Sequence, residues 1–417
     1  MTAPTLNASR KTKKTAVGEL PVEWGVLPLG KCTRLERGKF AFRPRTEPRF
    51  YGGKTPFVQT GDVSNARTWI RSYTQTLSDE GLAISKVFPK GAILMTIAAN
   101  IGDCAMLDFD SACPDSVIGI LPRDGVDGLF LLYTLIHRKN HLHYLAPAGA
   151  QKNLNLDFLQ KVQVPVPPLP EQHRIAAVLR TWDRAIERQE QLLAAKQQFK
   201  QSLMQQLLTG KKRFPEFKGQ KWQKVQLGEV FERVVRRVTP DVEHVLSITA
   251  RVGFVTQQSK FSKIIAGNTL ERYILLRRGE FAYNKGNSKS YKQGCIYKLD
   301  SYDEAAVPQV YICFGAKTRD VDSEFYRYYF EAGLLNSQLM GIINSGVRND
   351  GLLNMDPDNF FKLHIHVPPV KEQKQIADVF RVVDRELALL EREADALRDQ
   401  KRGLMQKLLT GKVRVKV

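Results

Sequence analysis

The sequence predicts an α+β protein in which two α/β domains are separated by two long helices that pair as an antiparallel coiled coil. Three observations carry this prediction: a duplicated segment, a hydrophobic repeat inside each copy, and short β-type runs in the intervening segments. The copies span residues 166–213 and 367–414, match without a gap at an offset of 201 residues, and are identical at roughly half of their positions. The chain is therefore an internal, pseudo-twofold repeat, and its function needs two similar elements.

Each copy has the same opening and the same ending. Both begin with Pro-Pro-x-x-Glu-Gln, after Val166 and Val367, and both end with Leu-Leu-Thr-Gly-Lys, at Gly210 and Gly411. Proline clusters end the preceding domain because they cannot continue a regular helix. A glycine at the far end suits the left-handed residue that stops a helix.

Between these signals, apolar residues recur at alternating spacings of four and three. This period, sustained over about five heptads, is typical of a coiled-coil seam. Lys401 interrupts it in the second copy, and Gln189, Lys196 and Lys200 interrupt it in the first. Each helix should be about 57 Å long at 1.5 Å per residue, and its natural partner is the other copy, reached through a domain of about 150 residues. The predicted seam consists of Ile175, Leu179, Trp182, Ile186, Leu193, Leu203 and Leu207 with Ile376, Phe380, Val383, Leu387, Leu390, Leu397, Leu404 and Leu408.

The two intervening domains are predicted at residues 22–165 and 214–366, and they share a Trp and a Leu-Gly near their starts, at Trp24 and Trp222. Each contains β-type runs, such as 92–97 and 116–120 in the first and 280–283 and 310–314 in the second, followed by a helix pattern at 129–142 or 323–340. Such a mixture indicates an α+β domain with a twisted sheet. Residues 1–21 are expected to be a mobile basic tail, and residues 367–417 to hold the second helix and a C-terminal tail.

Composition bounds the partner and the compartment. Lys and Arg number 63 against 43 Asp and Glu, a net charge of +20, which favours a polyanion such as nucleic acid. The excess is spread along the chain, so it locates no site. The five cysteines lack Cys-x-x-Cys spacing, which is typical of reduced thiols in a cytosolic protein. No apolar run approaches a membrane span in length, and the expected compartment is the cytoplasm.

Catalytic motifs are not found in the sequence. The Asn-Pro-Pro-aromatic signature of adenine methylation, a glycine-rich motif for S-adenosylmethionine and a helicase-type ATP motif do not occur. The pairs His141/His143 and His364/His366, expected on extended segments, lack a third ligand at a useful spacing. The chain is therefore expected to be non-catalytic and to bind no metal or cofactor of its own.

Polar and basic residues in glycine-rich loops are the candidates for contacts with double-stranded DNA. Arg, Gln and Asn can read base edges in the major groove, whereas Lys, Ser and Thr suit phosphates. For any one residue, an ordinary surface loop is an equally good interpretation. The candidates are Arg43, Arg45, Arg49, Lys54, Gln59, Thr60, Gln151, Lys152 and Asn153 in the first domain, and Asn284, Lys285, Asn287, Ser288, Lys289, Tyr291, Lys292, Arg348 and Asn349 in the second.

The chain resembles the DNA-specificity subunits of type I restriction–modification systems. The resemblance rests on the twice-repeated Pro-Pro-x-x-Glu-Gln-x-x-Ile-Ala and Leu-Met-Gln-x-Leu-Leu-Thr-Gly, and more weakly on residues 49–62 and 149–154. It implies two target-recognition domains, each reading one half of a bipartite DNA site, and helices that set the unread spacer. It also implies docking of two methyltransferase subunits, joined by translocating nuclease subunits; S-adenosylmethionine, ATP and Mg then belong to those partners.

Three alternatives stay open at this point. The chain could serve a methylation-only or another phage-defence system, which the sequence does not distinguish. It could be a self-sufficient DNA methyltransferase or nuclease with an unrecognised motif, although the missing methylation signature argues against this. It could also be a coiled-coil adaptor that binds only protein, in which case it would lack the salt-dependent binding to random duplex that phosphate contacts produce.

Overall fold

The chain divides into two compact units, and each long helix contributes one half to each unit. Unit 1 comprises Met1–Gln191 with Arg392–Val417, and unit 2 comprises Leu192–Glu391. The computed structural model describes residues 6–8, 11–42, 44, 46–98, 100–145, 154–239, 241–249, 252–256, 270, 272–285, 293–343 and 355–416.

The elements of the first half of the chain are β1 (Leu6–Ala8), β2 (Thr12–Thr15), β3 (Gly18–Pro21), β4 (Gly25–Pro28), α1 (Leu29–Cys32), β5 (Thr33–Arg37), β6 (Tyr51–Phe57), α2 (Thr60–Asn65), β7 (Trp69–Ile70), β8 (Gln75–Leu77), α3 (Asp79–Ala83), β9 (Lys86–Phe88), β10 (Ile93–Thr96), β11 (Cys104–Leu107), β12 (Ser111–Cys113), β13 (Val117–Pro122), α4 (Gly128–His137), α5 (Lys139–Leu145), α6 (Leu156–Lys161), β14 (Gln163–Val166) and α7 (Leu169–Leu207).

The second half continues with β15 (Gln223–Gln226), α8 (Leu227–Val230), β16 (Phe231–Arg233), β17 (Leu246–Thr249), β18 (Gly253–Thr256), β19 (Tyr273–Arg277), β20 (Phe281–Asn284), β21 (Cys295–Lys298), β22 (Glu304–Pro308), β23 (Ile312–Ala316), α9 (Ser323–Glu331), α10 (Asn336–Ile342), α11 (Pro357–Phe361), β24 (His364–Val367), α12 (Val370–Leu409) and β25 (Val413–Val415).

Both units contain a sheet of the same core topology. In unit 1 the strand order is β5-β13-β10-β11-β7, and in unit 2 it is β16-β23-β20-β21. A two-stranded antiparallel pair precedes each long helix, β4 with β14 and β15 with β24. Unit 1 adds a second sheet, β8-β6-β12-β9. The predicted α+β class and internal repeat are confirmed, and the four predicted β-type runs correspond to β10, β13, β20 and β23.

The long helices are α7, with 39 residues, and α12, with 40. Within unit 1, Gln189 Nε2 donates to Glu393 2.9 Å away, and Asp183 pairs with Lys401 farther along α12. Within unit 2, Lys196 lies 2.8 Å from Glu386, and Lys200 lies 2.8 Å from Asp384. In these contacts, residue numbers increase along α7 as they decrease along α12. The helix halves are therefore antiparallel in both units, as predicted.

The predicted seam is buried or half-buried along both helices. In unit 1, Ile175 and Leu179 pack with Met405 and Leu408 against Trp24. In unit 2, residues from both helices join an aromatic core that includes Phe325 and Phe330. The helix pair is thus part of each unit's own hydrophobic core, because its apolar stripe is wider than a two-helix seam alone would need.

The repeated Pro-Pro-x-x-Glu-Gln motif forms a buried clamp in each unit. Glu171 is almost inaccessible; it accepts hydrogen bonds from Trp24 Nε1 at 3.0 Å and from the Arg414 guanidinium at 2.5 and 2.8 Å. Glu372 accepts from Trp222 Nε1 at 2.9 Å and from Arg213 at 2.5 and 2.6 Å. A buried carboxylate must be paired and hydrogen-bonded, which explains why these residue types recur in both copies.

The glutamine of the motif ties the helix to its domain. Gln172 accepts from the Asp127 backbone N–H at 2.8 Å and donates to the Gly125 and Pro167 carbonyls. Gln373 makes the equivalent contacts with Asp322, Asp320 and Pro368. In each unit one carboxamide therefore fixes the start of a domain helix, α4 or α9, against the start of a long helix.

Three sequence-based expectations are wrong. Residues 6–8 and 11–21 are not a mobile tail: β2 pairs with β3, and β1 pairs with the C-terminal strand β25. His141 and His143 lie in helix α5 rather than on an extended segment. The helix patterns at 129–142 and 323–340 are each divided into two helices; in the second, Gly333 adopts a left-handed conformation between α9 and α10, so the chain turns there.

Candidate nucleic-acid interface

Arg49 and Lys54 flank the first residues of strand β6 in the first domain. The Arg49 guanidinium lies 4.7 Å from the centre of the Phe50 ring and 5.2 Å from that of Phe42, and its side chain is 53% exposed. Lys54 is exposed, but it lies within strand β6 and not in the glycine-rich loop that the sequence predicted. Aromatic rings stabilise a cation above their faces, so Arg49 is a positioned cation that still faces solvent.

Gln59 and Thr60 lie where helix α2 begins, and both are half-buried. The Gln59 backbone N–H donates to the Asp62 carboxylate at 2.9 Å, and the Gln59 carboxamide donates to Gln75. One side of this carboxamide is therefore used within the domain. Reading a base with it would require the contact with Gln75 to open or to be shared.

The loop between β10 and β11, residues 97–103, connects two of the predicted segments in the first domain. Asn100 Nδ2 donates to Ser64 Oγ in α2 at 3.2 Å. The Leu154 backbone N–H donates to the Ile97 carbonyl at 3.4 Å. Helix α2, which begins at Thr60, and the end of the segment that carries Gln151 thus both border this loop.

The second domain has the equivalent arrangement around the loop between β20 and β21. Lys285 Nζ lies 3.5 Å from the Met355 carbonyl, and Gln293 Nε2 lies 3.2 Å from Met340 Sδ in α10. Lys285, which precedes segment 286–292, is therefore in contact with Met355, which follows segment 344–354. Asn284 is half-buried at the end of β20.

The remaining candidates stay predictions because they lie outside the described residues. They are Arg43, Arg45, Gln151, Lys152, Asn153, Asn287, Ser288, Lys289, Tyr291, Lys292, Arg348 and Asn349.

Sequence reasoning missed the loop 97–103, which contains the exposed Asn100. The strand order of the two sheets reveals its correspondence with the second domain. Strand β10 of the first domain corresponds to β20 of the second in the order of the sheet, so the loop after β10 is the counterpart of the loop that begins at Lys285. Aligning the two sheets strand by strand would have placed Asn100 among the candidates.

Three buried cysteines among the described residues are poor nucleophiles. Burial raises the pKa of the Cys313 thiol to about 12 and also raises the pKa of Cys104 and Cys113, which disfavours their nucleophilic thiolate forms. In the same part of the chain, no cluster of three His, Cys, Asp or Glu could hold a metal ion. Nor is any helix there long and apolar enough to cross a membrane.

Comparison with known proteins gives one consistent result. A putative type I restriction enzyme MjaX specificity subunit from Methanocaldococcus jannaschii is 23% identical over 442 aligned residues, spanning 97% of each chain. Among solved structures, the S subunit of a type I restriction–modification system from M. genitalium superposes with a TM-score of 0.54 at 15% identity, covering 92% of this chain and 96% of that one.

A second solved chain, from work on complex assembly and conformational transition of the type I R-M system, gives a TM-score of 0.57 at 17% identity over 94% of this chain and 99% of its own. Both solved chains have the same fold as this chain. The family model for the type I restriction modification DNA specificity domain matches residues 21–195 and again residues 219–398. With two copies of that domain spanning most of its length, the chain belongs to the family of type I restriction–modification DNA-specificity subunits.

Proposed function

We propose that this chain directs a type I restriction–modification complex to a bipartite DNA sequence. Each recognition domain reads one half of the site, and the helix pair sets the number of unread base pairs between them. Segments 146–153 and 344–354, with the loops after β10 and β20, supply the base contacts. S-adenosylmethionine, ATP and Mg serve partner subunits, because the methyltransferase and translocase motifs are missing from this sequence.

The observation that carries this proposal is the matched anchoring of two unlike domains to two like helices. The clamps at Glu171 and Glu372 and the ties at Gln172 and Gln373 are the same in both units. The loops that would meet DNA differ between the domains in sequence and length. Identical attachment of each domain to its long helix, combined with different loops, suits the recognition of two different half-sites by one protein.

One flank of the helix pair in unit 2 is suited to docking a methyltransferase subunit. Leu192, Phe199, Val382 and Leu389 are exposed, with 53% of Phe199 and 57% of Leu389 accessible. Each of these residues precedes a seam position by one residue. Because the helices are antiparallel, all four therefore lie on the same side of the seam. Asp384 lies on the other flank, against the recognition domain. Exposed apolar residues in a row mark a protein interface.

This apolar flank is not repeated in unit 1. At the offset of 201 residues, the counterparts of Leu192, Phe199, Val382 and Leu389 are the polar residues Glu393, Gln400, Thr181 and Arg188. The two methyltransferase copies would therefore meet different surfaces and bind with different affinities.

The direct test of DNA reading is a genome-wide map of adenine methylation in cells that carry this chain with its methyltransferase partner. The expected result is one asymmetric motif made of two short specific halves with a spacer of fixed length. A continuous motif, or methylation that does not depend on this chain, would refute the proposal.

The ruler role is tested by inserting about one heptad, seven residues, into one helix. We expect the accepted spacer to change or binding to be lost, because half-sites on one face of B-DNA repeat every 34–36 Å or so. Unchanged spacer selectivity would contradict the role of the helices. The purified chain alone should bind random duplex with a steep salt dependence and transfer no methyl group.

Docking is tested by replacing Phe199 and Leu389 together with Ser. In the variant, the isolated chain should retain DNA binding. The variant should recover fewer methyltransferase copies per chain than the parent does. The matched control is the pair Gln400→Ser and Arg188→Ser at the counterpart positions. An equal loss in both variants would show that the apolar flank has no special part in docking.

A further inference from the structure

Two lysines occupy positions of the coiled-coil seam that apolar residues would otherwise fill. Lys200 and Lys401 are counterparts in the repeat, and their side chains are only 14% and 15% exposed. Each pairs with an aspartate of the other helix: Lys200 Nζ lies 2.8 Å from Asp384 Oδ1 in unit 2, and Lys401 binds Asp183 Oδ1 in unit 1. Asp183 and Asp384 are counterparts as well.

The second oxygen of each aspartate is bound by its recognition domain. Asp183 Oδ2 accepts from Tyr133 Oη in α4 at 2.5 Å and from Thr68 Oγ1 at 2.9 Å. Each carboxylate therefore joins three parts of its unit: its own helix, the opposite helix and the recognition domain. We call the group of Asp183, Lys401, Tyr133 and Thr68 junction 1.

Junction 2 consists of Asp384, Lys200, Tyr328 and Arg327. Asp384 Oδ2 accepts from Tyr328 Oη at 2.7 Å and from Arg327 at 3.1 Å. Lys200 also lies 2.7 Å from Glu331 at the end of α9. In both junctions the lysine ammonium lies near the ring of the junction tyrosine, 5.1 Å from Tyr133 and 5.4 Å from Tyr328. The geometry is thus reproduced in two domains whose other residues have diverged.

The junctions are compatible with only one register of the two helices. If one helix slipped by a heptad, Asp183 would face Ala394 or Leu408 instead of Lys401. In the same way Asp384 would face Leu193 or Leu207 instead of Lys200. Asp183 is buried, so the loss of its cation would be strongly destabilising. Asp384 would keep Arg327 but lose Lys200, and a single charged residue in a seam is known to specify register. An all-leucine seam would not make this distinction.

We propose that Asp183 and Asp384 are positioning residues that fix the spacer length of the DNA site, by coupling helix register to the seat of each recognition domain. The proposal rests on the proposed function, since a spacer exists only if each domain reads one half-site. Each junction sets the position of one domain along the helix pair through one carboxylate. The apolar seam and the glutamate clamps stabilise the units, and the junctions select one register.

The test uses the complete methyltransferase complex and duplexes that share both half-sites but differ in spacer length by single base pairs. The principal variant removes both charges of junction 1, Asp183→Asn with Lys401→Leu. Its equivalent in junction 2 is Asp384→Asn with Lys200→Leu. Replacing both partners avoids leaving one buried charge unpaired. The control is Arg398→Ala, which removes an exposed ion pair between the helices, with Glu190, and no junction.

We expect the parent complex and Arg398→Ala to methylate duplexes of one spacer length. Each junction variant should also methylate duplexes whose spacer is about three base pairs longer or shorter, because a slip of one heptad moves a helix by about 10.5 Å and base pairs are about 3.4 Å apart. Discrimination should fall about tenfold, a factor that corresponds to about 1.4 kcal/mol. A second readout is disulfide formation in Gln189→Cys combined with Glu393→Cys, whose positions are in contact in the native register, or combined with Gln400→Cys, one heptad away. The second pair should cross-link only in the junction variant.

Tyr133→Phe keeps the proposal testable if the double replacements do not fold. It removes one hydroxyl and leaves the Asp183–Lys401 ion pair, so the cross-link pattern should stay native while neighbouring spacers become acceptable. Folded variants that retain a single spacer length would overturn the proposal. If instead the parent complex shows no preference among spacers, the proposed function itself fails, whatever the variants do.

Discussion

The two units make the same glutamate clamp from different stretches of chain. In unit 2, Arg213 and Trp222 lie nine residues apart in the segment that follows α7, and both bind Glu372. In unit 1, Arg414 comes from the C-terminal end of the chain and Trp24 from near the N-terminus, and both bind Glu171. Pairing of β1 with β25 joins the two ends there. A covalent linker in one unit is thus replaced by a two-stranded contact in the other.

This comparison shows that the clamp does not depend on chain connectivity. What both units share is a carboxylate buried at the start of a long helix, which requires a cation and an indole N–H wherever they come from. The difference is that the arginine and the tryptophan of unit 1 lie in segments far apart in the sequence, which the pairing of β1 with β25 brings together. In unit 2 they lie in one continuous segment.

The largest expected effect comes from removing the clamp arginines. Arg213→Ala and Arg414→Ala each leave a buried carboxylate without its cation, which typically costs about 3–5 kcal/mol. Arg414→Ala should cost more, because it also releases strand β25, and it should do so only in unit 1. Hydrogen exchange resolved by segment measures the two units separately. Equal losses in both units would show that the terminal contact is as secure as the covalent linker.

The next effect concerns the glycines that end the two long helices. Gly210 and Gly411 have φ of 71° and 67°, so alanine is strained by about 1–2 kcal/mol at either position. At Gly411 an added methyl would also come within 2.3 Å of Pro21, whereas at Gly210 it would meet Trp222 at an ordinary 3.5 Å. Gly411→Ala should therefore lower the free energy of unfolding more than Gly210→Ala does. Chemical denaturation measures this difference, and the reverse order would contradict the close packing of Gly411 on the N-terminal hairpin.

Replacing Gln151 or Arg348 with alanine tests whether each domain binds the bases of a different half-site. If each contacts a base, the loss is about 1–3 kcal/mol and confined to one half of the DNA site. Competition binding with duplexes mutated in one half-site at a time gives the pattern. A loss that is uniform over all sequences would instead identify a phosphate contact.

The smallest expected effect is the acid sensitivity of junction 2. Burial opposes ionisation of Asp384, but hydrogen bonds from Lys200 and Tyr328 prevail and hold its pKa below the usual 3.8. Stabilisation from this group is therefore present above about pH 4 and is lost as the pH falls through the lowered pKa. Asp384→Asn should remove this part of the loss of stability at low pH in unit 2. Unfolding followed by tyrosine fluorescence as a function of pH measures the change. Asp378→Asn, at an exposed ion pair on the same helix, is the control and should leave the loss of stability at low pH unchanged.

Sequence periodicity predicted the helices well because each long helix carries its own signals. The proline start, the heptad stripe and the terminal glycine are local, and α7 and α12 have the predicted length and direction. Strands β10, β13, β20 and β23 were also predicted, since runs of β-branched and aromatic residues between turns need no distant information. Among the described candidates for DNA contact, Arg49 and Lys54 were predicted in a glycine-rich loop; both are exposed, but Lys54 lies in strand β6. Asn100 was not among the candidates, because its place becomes visible only when the two sheets are aligned.

The duplication and the helix pair follow from the sequence alone, because a repeat and its periodicity can be found without knowledge of distant contacts, and the net charge favours a polyanionic partner. The roles of Lys200 and Lys401 emerge only in the folded chain. In the sequence they interrupt a seam, and their aspartate partners become visible only when the antiparallel register is known. The same holds for the N-terminal segment, which resembles a loose basic tail in the sequence. Its role becomes clear only when its strand β1 pairs with β25, which lies about 400 residues away. Contacts between distant residues carry no local pattern, since any compatible side chain can satisfy a buried group once folding has brought it near.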